Sequence, residues 1–148
     1  MRRWWPDRFS STFFAANAAL PADEVPVQIT LFSFGFKHGH PQADLVFDVR
    51  FLPNPYWDAG LRPHTGLEAR VAEYALTNAA GAEFFARLEP LLSFLVVQYS
   101  TTGRDSLSIA VGCTGGKHRS VAVVQRLHSF LDSLGVEVQL FHRDIDKE

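Results

Sequence analysis

The chain has 148 residues, of which 47% are hydrophobic and 20% charged, and this length and composition predict one globular domain with its own core. A formal net charge of −2 excludes a general attraction to nucleic acid or to an anionic membrane, so anion binding requires a local group of donors. The single cysteine excludes an internal disulfide and a cysteine-rich zinc site, which predicts a reducing, cytoplasmic compartment and no metal or other cofactor.

Residues 1–26 contain no glycine and are interrupted by three prolines. Their apolar patch is too short to span a bilayer and makes a poor signal peptide. We predict an N-terminal extension over residues 1–26 and a domain over residues 27–148, with no membrane association.

Two strands are predicted next, because residues 27–34 and 43–51 are rich in β-branched and aromatic side chains at strand length. The connection between them, residues 35–42, is too rich in glycine and polar residues for a stable helix and is predicted to be a functional loop. After the second strand, residues 52–66 contain three prolines and two glycines. So long a connection in a compact domain is typically functional.

From residue 67 to 98 apolar residues recur three or four apart, and a break near residues 78–81 predicts two helices. The elements predicted after them are a strand over 106–111, a helix over 119–134 that ends at Gly135, and a strand over 136–141. Strands alternating with helices predict a small three-layer α/β domain with a mostly parallel sheet. Ligands bind such sheets at the carboxyl ends of the strands. The loops over residues 35–42, 52–66 and 112–118 should therefore meet there.

The loop between the third strand and the following helix, residues 112–118, combines three glycines with cationic side chains. A helix N-terminus has unsatisfied N–H groups and a partial positive charge, and glycines let an anion approach them closely. Cationic side chains and hydroxyls add donors. We predict a phosphate cradle formed by Cys113, Thr114, Gly115, Gly116, Lys117, His118, Arg119 and Ser120.

Other interpretations compete with the cradle. In the simplest, the glycines serve only the backbone turn and the basic side chains face solvent. A nucleotide P-loop is excluded because three residues, not four, separate Gly112 from Gly116, and a histidine follows the lysine. A cysteine-dependent phosphatase stays open, because five residues separate Cys113 from Arg119, the spacing that lets a thiolate attack phosphorus while arginine holds its oxygens. A candidate for its general acid, Asp7, lies in the N-terminal extension, far from where such a fold places its acid, so we favour a domain that is not an enzyme.

Five motifs occur in a fixed order, at residues 33–39, 47–55, 61–67, 111–121 and 142–143. Together they resemble the C-terminal domain of the RNase adapter protein RapZ family. The resemblance implies a sugar-phosphate-binding regulatory module that senses glucosamine 6-phosphate and, in enterobacterial members, engages small RNAs and an RNase. It assigns metabolite sensing to Thr114, Gly115 and Arg119. Full-length members begin with a P-loop nucleotide-binding domain, for which residues 1–26 leave no room.

Two departures from the family pattern bear on ligand and partner. Tyr56 stands where the enterobacterial pattern has histidine, and a phenol can hydrogen-bond a sugar hydroxyl but cannot become cationic near neutral pH. Residues 142–148 carry as many acids as bases, where RNA-binding relatives have a basic tail. We therefore expect weak RNA binding. The sequence does not decide whether the domain binds a protein partner or forms a homo-oligomer.

Polar residues after the second strand complete the predicted site. Asp48 and Arg50 alternate with apolar neighbours, so both lie on one face near the carboxyl end of the strand. They are either ligand contacts or a plain ion pair. The candidates in the following loop, which contact ligand or brace the turn, are Asn54, Tyr56, Arg62 and Thr65.

Overall fold

The computed structural model describes Leu20 and residues 24–148. The elements in this part of the chain are β1 (Gln28–Gly35), β2 (Leu45–Asp48), α1 (Ala69–Leu76), α2 (Ala79–Thr101), β3 (Ser106–Cys113), α3 (Arg119–Ser133) and β4 (Val138–His142). Short 3-10 turns, Phe36–His38 and Pro55–Trp57, come after β1 and β2. The extension predicted for residues 1–26 lies largely outside the described residues and stays a prediction.

The strands of the described chain form one parallel sheet in the order β2-β3-β1-β4. β1 and β3 lie in the middle, and the last five residues of each are buried on both faces of the sheet. Near-continuous apolar sequences are typical of such central parallel strands. The predicted α/β fold with a parallel sheet is therefore confirmed.

Connections on both faces of the sheet make three layers. The connection from β1 to β2 crosses β3 in one direction, and the later connections run back in the other. Because parallel crossovers are right-handed, connections that run in opposite directions lie on opposite faces. On one face, α2 and α3 contribute residues such as Leu92 and Leu127 to the main core. On the other face, Phe36 and Ala43 of the first crossover pack against a smaller cluster that includes Phe34.

The predicted break between two helices is confirmed at Asn78, which caps α2. Its Oδ1 accepts a hydrogen bond of 2.9 Å from the N–H of Gly81, and its Nδ2 donates one of 2.9 Å to the carbonyl oxygen of Ala75. The two helices meet so closely that a Cβ on Gly81 would lie 2.0 Å from the carbonyl oxygen of Leu76. Glycine is the residue that this junction accepts.

The second strand is shorter than predicted. β2 ends at Asp48 because its carboxylate accepts hydrogen bonds from the backbone N–H and the guanidinium of Arg50, and so turns the chain. The next N–H, of Val49, donates to the carbonyl oxygen of Gly112 at 2.9 Å and holds this turn against β3. The turn therefore reaches the loop that follows β3.

The ends and the length of the helices have simple causes. α3 ends as predicted, because Gly135 has a φ of 80° and its N–H donates to the carbonyl oxygen of Asp132. α2 is 23 residues long and continues through Pro90. Within the described part of the chain, no helix combines the length and the apolar character needed to cross a membrane.

Candidate anion-binding site

Residues 114–118 connect the carboxyl end of β3, which extends to Cys113, to the N-terminus of α3, and this loop lies against the end of β1. A Cβ on Gly35 would lie 2.4 Å from the carbonyl carbon of Gly115, which is closer than side chains approach backbone. Gly116 has a φ of 76°, and a Cβ there would lie 2.6 Å from the backbone nitrogen of Gly35. The loop backbone is thus fixed beside a helix N-terminus, where N–H groups favour an anion.

Arg119, the first residue of α3, is buried and joins the loop to the turn after β2. Its Nη1 donates to the carbonyl oxygens of Arg50, at 2.7 Å, and Leu52, at 3.2 Å. Its Nη2 lies 3.4 Å from the hydroxyl of Thr114, within the loop. Its buried Nε has no hydrogen-bond partner among the described residues. Arg119 therefore serves the fold with one edge of its guanidinium and faces the loop with another.

His118 and Lys117 join the same loop to residues 62–66. The Nε2 of His118 lies 3.0 Å from the carbonyl oxygen of Arg62, and a carbonyl only accepts, so this nitrogen carries a hydrogen. Burial lowers the pKa of His118 below its ordinary value of 6.5, although these backbone contacts oppose the shift. The ring is therefore neutral near neutral pH. The N–H of Gly66 donates to the carbonyl oxygen of Lys117 at 2.9 Å.

A pocket of about 600 Å³ lies between this loop, the 52–66 loop and residues 147–148. The cationic side chains that line it are Lys37, Arg62, Lys117, Arg119 and Lys147. Among the described lining residues, Glu148 is the one carboxylate. All three lysines of a chain whose net charge is −2 thus face a single pocket. This local excess of positive charge suits an anionic ligand.

The 52–66 loop supplies the polar and aromatic wall of the pocket. Asn54 begins the 3-10 turn, and its Oδ1 accepts a hydrogen bond of 3.1 Å from the N–H of Tyr56. Arg62 donates from Nε to the carbonyl oxygen of Tyr56 at 2.6 Å, and its guanidinium lies 4.5 Å from the centre of the Tyr56 ring. Trp57 lines the pocket with a side chain that is 75% exposed, so it does not anchor the loop to the core.

Residues 27–146 match the RapZ C-terminal domain family. The chain belongs to this family. Similar curated proteins, each named a nucleotide-binding protein, come from Anaeromyxobacter dehalogenans strain 2CP-C, Cutibacterium acnes and Streptomyces coelicolor. They are 50%, 51% and 46% identical to this chain over 85%, 78% and 89% of its length. The chain spans 43%, 40% and 45% of these relatives, which is less than half of each.

In this RapZ C-terminal domain most of the predicted site residues line the pocket. They are Asn54, Tyr56, Arg62, Cys113, Thr114, Gly115, Lys117, His118 and Arg119. Gly116 and Ser120 are buried beside the pocket and do not line it. Thr65 lies four residues before α1, where its Oγ1 accepts a hydrogen bond of 3.2 Å from the N–H of Leu67. Its position therefore favours bracing of the turn.

Asp48 and Arg50 contact each other and do not line the pocket. Arg50 donates from Nη2 to Asp48 Oδ2 at 2.6 Å and from Nε to Asp48 Oδ1 at 2.9 Å. These bonds from Arg50 lower the pKa of Asp48. The Arg50 guanidinium also lies 4.0 Å from the centre of the Phe36 ring. Of the two roles predicted for this pair, the geometry favours the plain ion pair.

Cys113 lies at the base of the pocket. Its side chain is buried, and its Sγ lies 3.1 Å from the hydroxyl of Ser120, at hydrogen-bond distance. In this position Cys113 packs beneath the loop as a small buried residue. Asp7, the candidate general acid of a phosphatase, lies outside the described residues.

The loop histidines make local contacts. His40 Nδ1 lies 3.0 Å from the carbonyl oxygen of Pro41, and His64 Nδ1 lies 2.8 Å from Glu68 Oε2. Within the part of the chain that the structure describes, no three histidine, cysteine, aspartate or glutamate side chains are grouped so as to hold a metal ion.

Four residues of the site were not predicted from the sequence, namely Lys37, Asp144, Lys147 and Glu148. Asp144 is fully buried, and its Oδ2 accepts a hydrogen bond of 2.7 Å from the N–H of Gly35. Burial alone would raise the pKa of Asp144, but hydrogen bonds from Arg143, Gly35 and Lys147 outweigh it and lower the pKa to about 2. The available signal was an aspartate next to the 142–143 motif, in a segment that otherwise looks like a solvated end.

Proposed function

We propose that this RapZ C-terminal domain is a regulatory binding domain for a phosphorylated sugar, with glucosamine 6-phosphate as the first candidate. The observation that carries the proposal is the concentration of five cationic side chains around one pocket in a chain of net charge −2. Cationic side chains that serve only solubility would be spread over the whole surface. A ligand with one phosphate needs such a local cluster, because the chain as a whole does not attract anions.

The phosphate belongs against the loop after β3. The N-terminus of α3 directs backbone N–H groups towards the loop, which favours an anion. Lys117 lines the same wall as a point charge, and Arg119 faces Thr114 through Nη2. His118 is neutral near pH 7, so it acts as a hydrogen-bonding group and not as a counter-charge.

The sugar belongs against the 52–66 loop. Asn54 and Tyr56 present polar side chains to the pocket, and Trp57 lies exposed beside them. Aromatic rings stack on the apolar face of a sugar, while amide and phenol groups bond its hydroxyls. Glu148 is the carboxylate available to the ammonium group of an amino sugar among the described lining residues.

Titration calorimetry with a matched ligand series tests this function. Glucosamine 6-phosphate, glucose 6-phosphate, glucosamine, inorganic phosphate, a UDP-sugar and ATP would be compared at one ionic strength. We expect the sugar phosphates to bind and unphosphorylated glucosamine to bind undetectably. Lys117→Met should weaken the binding about tenfold by removing a charged donor. Arg87→Ala, which changes an exposed side chain on α2, is the control and should bind as wild type.

Two results would contradict the proposal. One is the absence of binding by every sugar phosphate at millimolar concentration. The other is tighter binding of the nucleotide, which would connect the pocket to the name that the relatives carry. Because the chain spans less than half of those relatives, their nucleotide has room to bind elsewhere in them.

The alternative function, a cysteine-dependent phosphatase, has weaker support. The five-residue spacing of Cys113 and Arg119 favours it, and both residues reach the pocket. Against it, the thiol is buried against Ser120, and Arg119 spends one edge of its guanidinium on backbone carbonyls. A role as an adapter in RNA or cell-envelope precursor regulation is part of the proposal, and the charge of this chain supports an RNA partner poorly.

A further inference from the structure

Asp144 is a buried carboxylate at the junction of three segments. Its side chain has no exposed surface. Oδ2 accepts hydrogen bonds from the N–H of Gly35, at 2.7 Å, and from Nη2 of Arg143, at 2.8 Å. Oδ1 accepts from Nζ of Lys147 at 2.7 Å. One carboxylate thus joins the end of β1 to the segment that follows β4.

Asp144 also contacts the loop between β3 and α3, which we call the anion loop. A Cβ on Gly116 would lie 2.9 Å from the Cβ of Asp144, so the backbone of Gly116 packs directly against the Asp144 side chain. Arg143 strengthens the same junction, because its Nη2 donates to the carbonyl oxygen of Gly39 at 2.7 Å. The carboxylate is therefore held rigidly next to the pocket.

Lys147 lies between Asp144 and the pocket. Its side chain is half exposed and lines the pocket, while its ammonium group is held by Asp144. An ammonium group has three N–H donors, so two of them stay available to a ligand. A lysine side chain loses rotamer entropy when a ligand fixes it. Asp144 supplies that ordering before a ligand arrives.

We propose that Asp144 is a positioning residue of the anion pocket, which holds Lys147 at the rim so that the lysine contacts a bound phosphorylated ligand. The inference rests on the proposed function, and it assigns a role in that function to a residue that does not itself line the pocket.

The direction of the effect separates positioning from simple charge. Removal of the Asp144 carboxylate makes the region more positive, so charge alone predicts tighter anion binding. Loss of the held Lys147 predicts weaker binding. We expect the loss of the held Lys147 to outweigh the change in charge, because Lys147 is half exposed and water screens the long-range effect of one charge.

A double-mutant cycle measured by calorimetry with glucosamine 6-phosphate tests the inference. Asp144→Asn keeps an acceptor for the N–H of Gly35 and removes the charge, and Lys147→Met removes the ammonium group. Each single variant should weaken binding about three- to tenfold. In the Lys147→Met background, Asp144→Asn should change the affinity less than about twofold while still lowering Tm. Asp144→Asn with unchanged or tighter binding, or two effects that multiply, would overturn the inference.

Asp44→Asn is the matched control. Asp44 is also an aspartate with an arginine partner, Arg104 at 2.6 Å, and it accepts hydrogen bonds from the N–H and the hydroxyl of Ser108. It precedes β2, at the opposite end of the sheet from the pocket. This variant should lower Tm without changing the affinity for the ligand.

A measurement without ligand keeps the two proposals apart. Reductive methylation with ¹³C-formaldehyde labels the three lysines, Lys37, Lys117 and Lys147, for NMR. In Asp144→Asn the signal of Lys147 should move towards its position in urea, while the other two lysine signals stay. If the wild type binds no anion, the proposed function fails, and the NMR result still decides the positioning. An unchanged Lys147 signal would refute it.

Discussion

Arg119 donates a hydrogen bond of 2.7 Å from its guanidinium to the backbone carbonyl oxygen of Arg50. The bond joins the first residue of α3 to the turn after β2, and a second bond to Leu52 reinforces it. A residue that the sequence assigns to ligand binding thus also has a structural task. The two tasks make separate predictions for stability and for affinity.

Replacement of Arg119 should lower both quantities. Arg119→Ala leaves the carbonyl oxygens of Arg50 and Leu52 without a charged donor, and we expect the free energy of unfolding to fall by about 2–4 kcal/mol in urea denaturation. Arg119→Lys keeps the charge but not the planar fork, so it should recover part of the affinity and little of the stability. Arg87→Ala, with a side chain that is 78% exposed, should change stability by less than about 0.5 kcal/mol. Unchanged stability of Arg119→Ala would show that the carbonyl contacts are dispensable.

A methyl group at Gly35 should disable the pocket. The Cβ of Gly35→Ala would overlap the backbone of Gly115, so the anion loop must shift, and we expect loss of ligand affinity together with about 2 kcal/mol of stability. Gly135→Ala is the control, because its φ of 80° is strained for alanine but its surroundings are open. It should cost about 1 kcal/mol and leave calorimetric affinity intact. Equal affinities of the two variants would contradict the role of Gly35.

The stability of the domain should fall in mild acid. Burial lowers the pKa of both His118 and His142 below 6.5, so the unfolded chain binds protons more readily than the folded chain. Their contribution is complete above the unfolded value and is lost as pH falls towards the folded values. Urea denaturation from about pH 8 to 5 measures this slope. His142→Gln keeps a polar partner for Ser33 and removes one of the two groups, so its slope should be shallower than that of wild type.

Cys113→Ser should leave function intact if the cysteine is architectural. We expect hydrolysis of a fluorogenic phosphate ester between pH 5 and 8 to stay at the uncatalysed rate for both wild type and variant. Ligand affinity should also be unchanged, because the thiol borders the pocket but is almost completely buried against Ser120. Turnover that the substitution abolishes would establish the phosphatase instead.

The chain should bind structured RNA weakly and with a shallow dependence on salt. Its three lysines and eleven arginines are outnumbered by sixteen carboxylates, and all the lysines already face the pocket. Each phosphate contact made by lysine or arginine steepens the fall of affinity with salt. A gel-shift titration at two salt concentrations measures the slope. Tight binding that persists at physiological salt would show that the protein, or an oligomer of it, has a basic surface beyond the pocket.

The parallel sheet and its helices could be predicted because their signals are local. Apolar residues three or four apart over residues 67–98 predict helices, and β-branched residues over 27–34 predict a strand. Both patterns involve residues that are close along the chain. The meeting of the loops after β1, β2 and β3 followed from topology, since parallel strands end at one edge of the sheet. Asp48 shortened β2 through a contact two residues away, which competes with strand propensity.

The residues that were missed depend on contacts between distant parts of the chain. Asp144 acquires its role from Gly35, 109 positions earlier. Lys37 and Lys147 become neighbours of one pocket only through folding. No spacing rule reveals such pairs in a single sequence. Ligand contact by the residues that line the pocket stays a prediction, which calorimetry of their variants tests.

The hydrogen bond between Gly35 and Asp144 also means that the pocket is completed late during synthesis of the chain. A ribosome delivers about 5–20 residues per second from the amino end, so Gly35 is made well before its partner. The pocket lacks a wall until residues 144–147 have emerged and folded back on β1. A protease that cuts just after His142 would leave all strands of the described sheet in place. We expect such a clipped molecule to keep the strands but to lose the part of the proposed pocket that Lys147 and the Asp144 contact form.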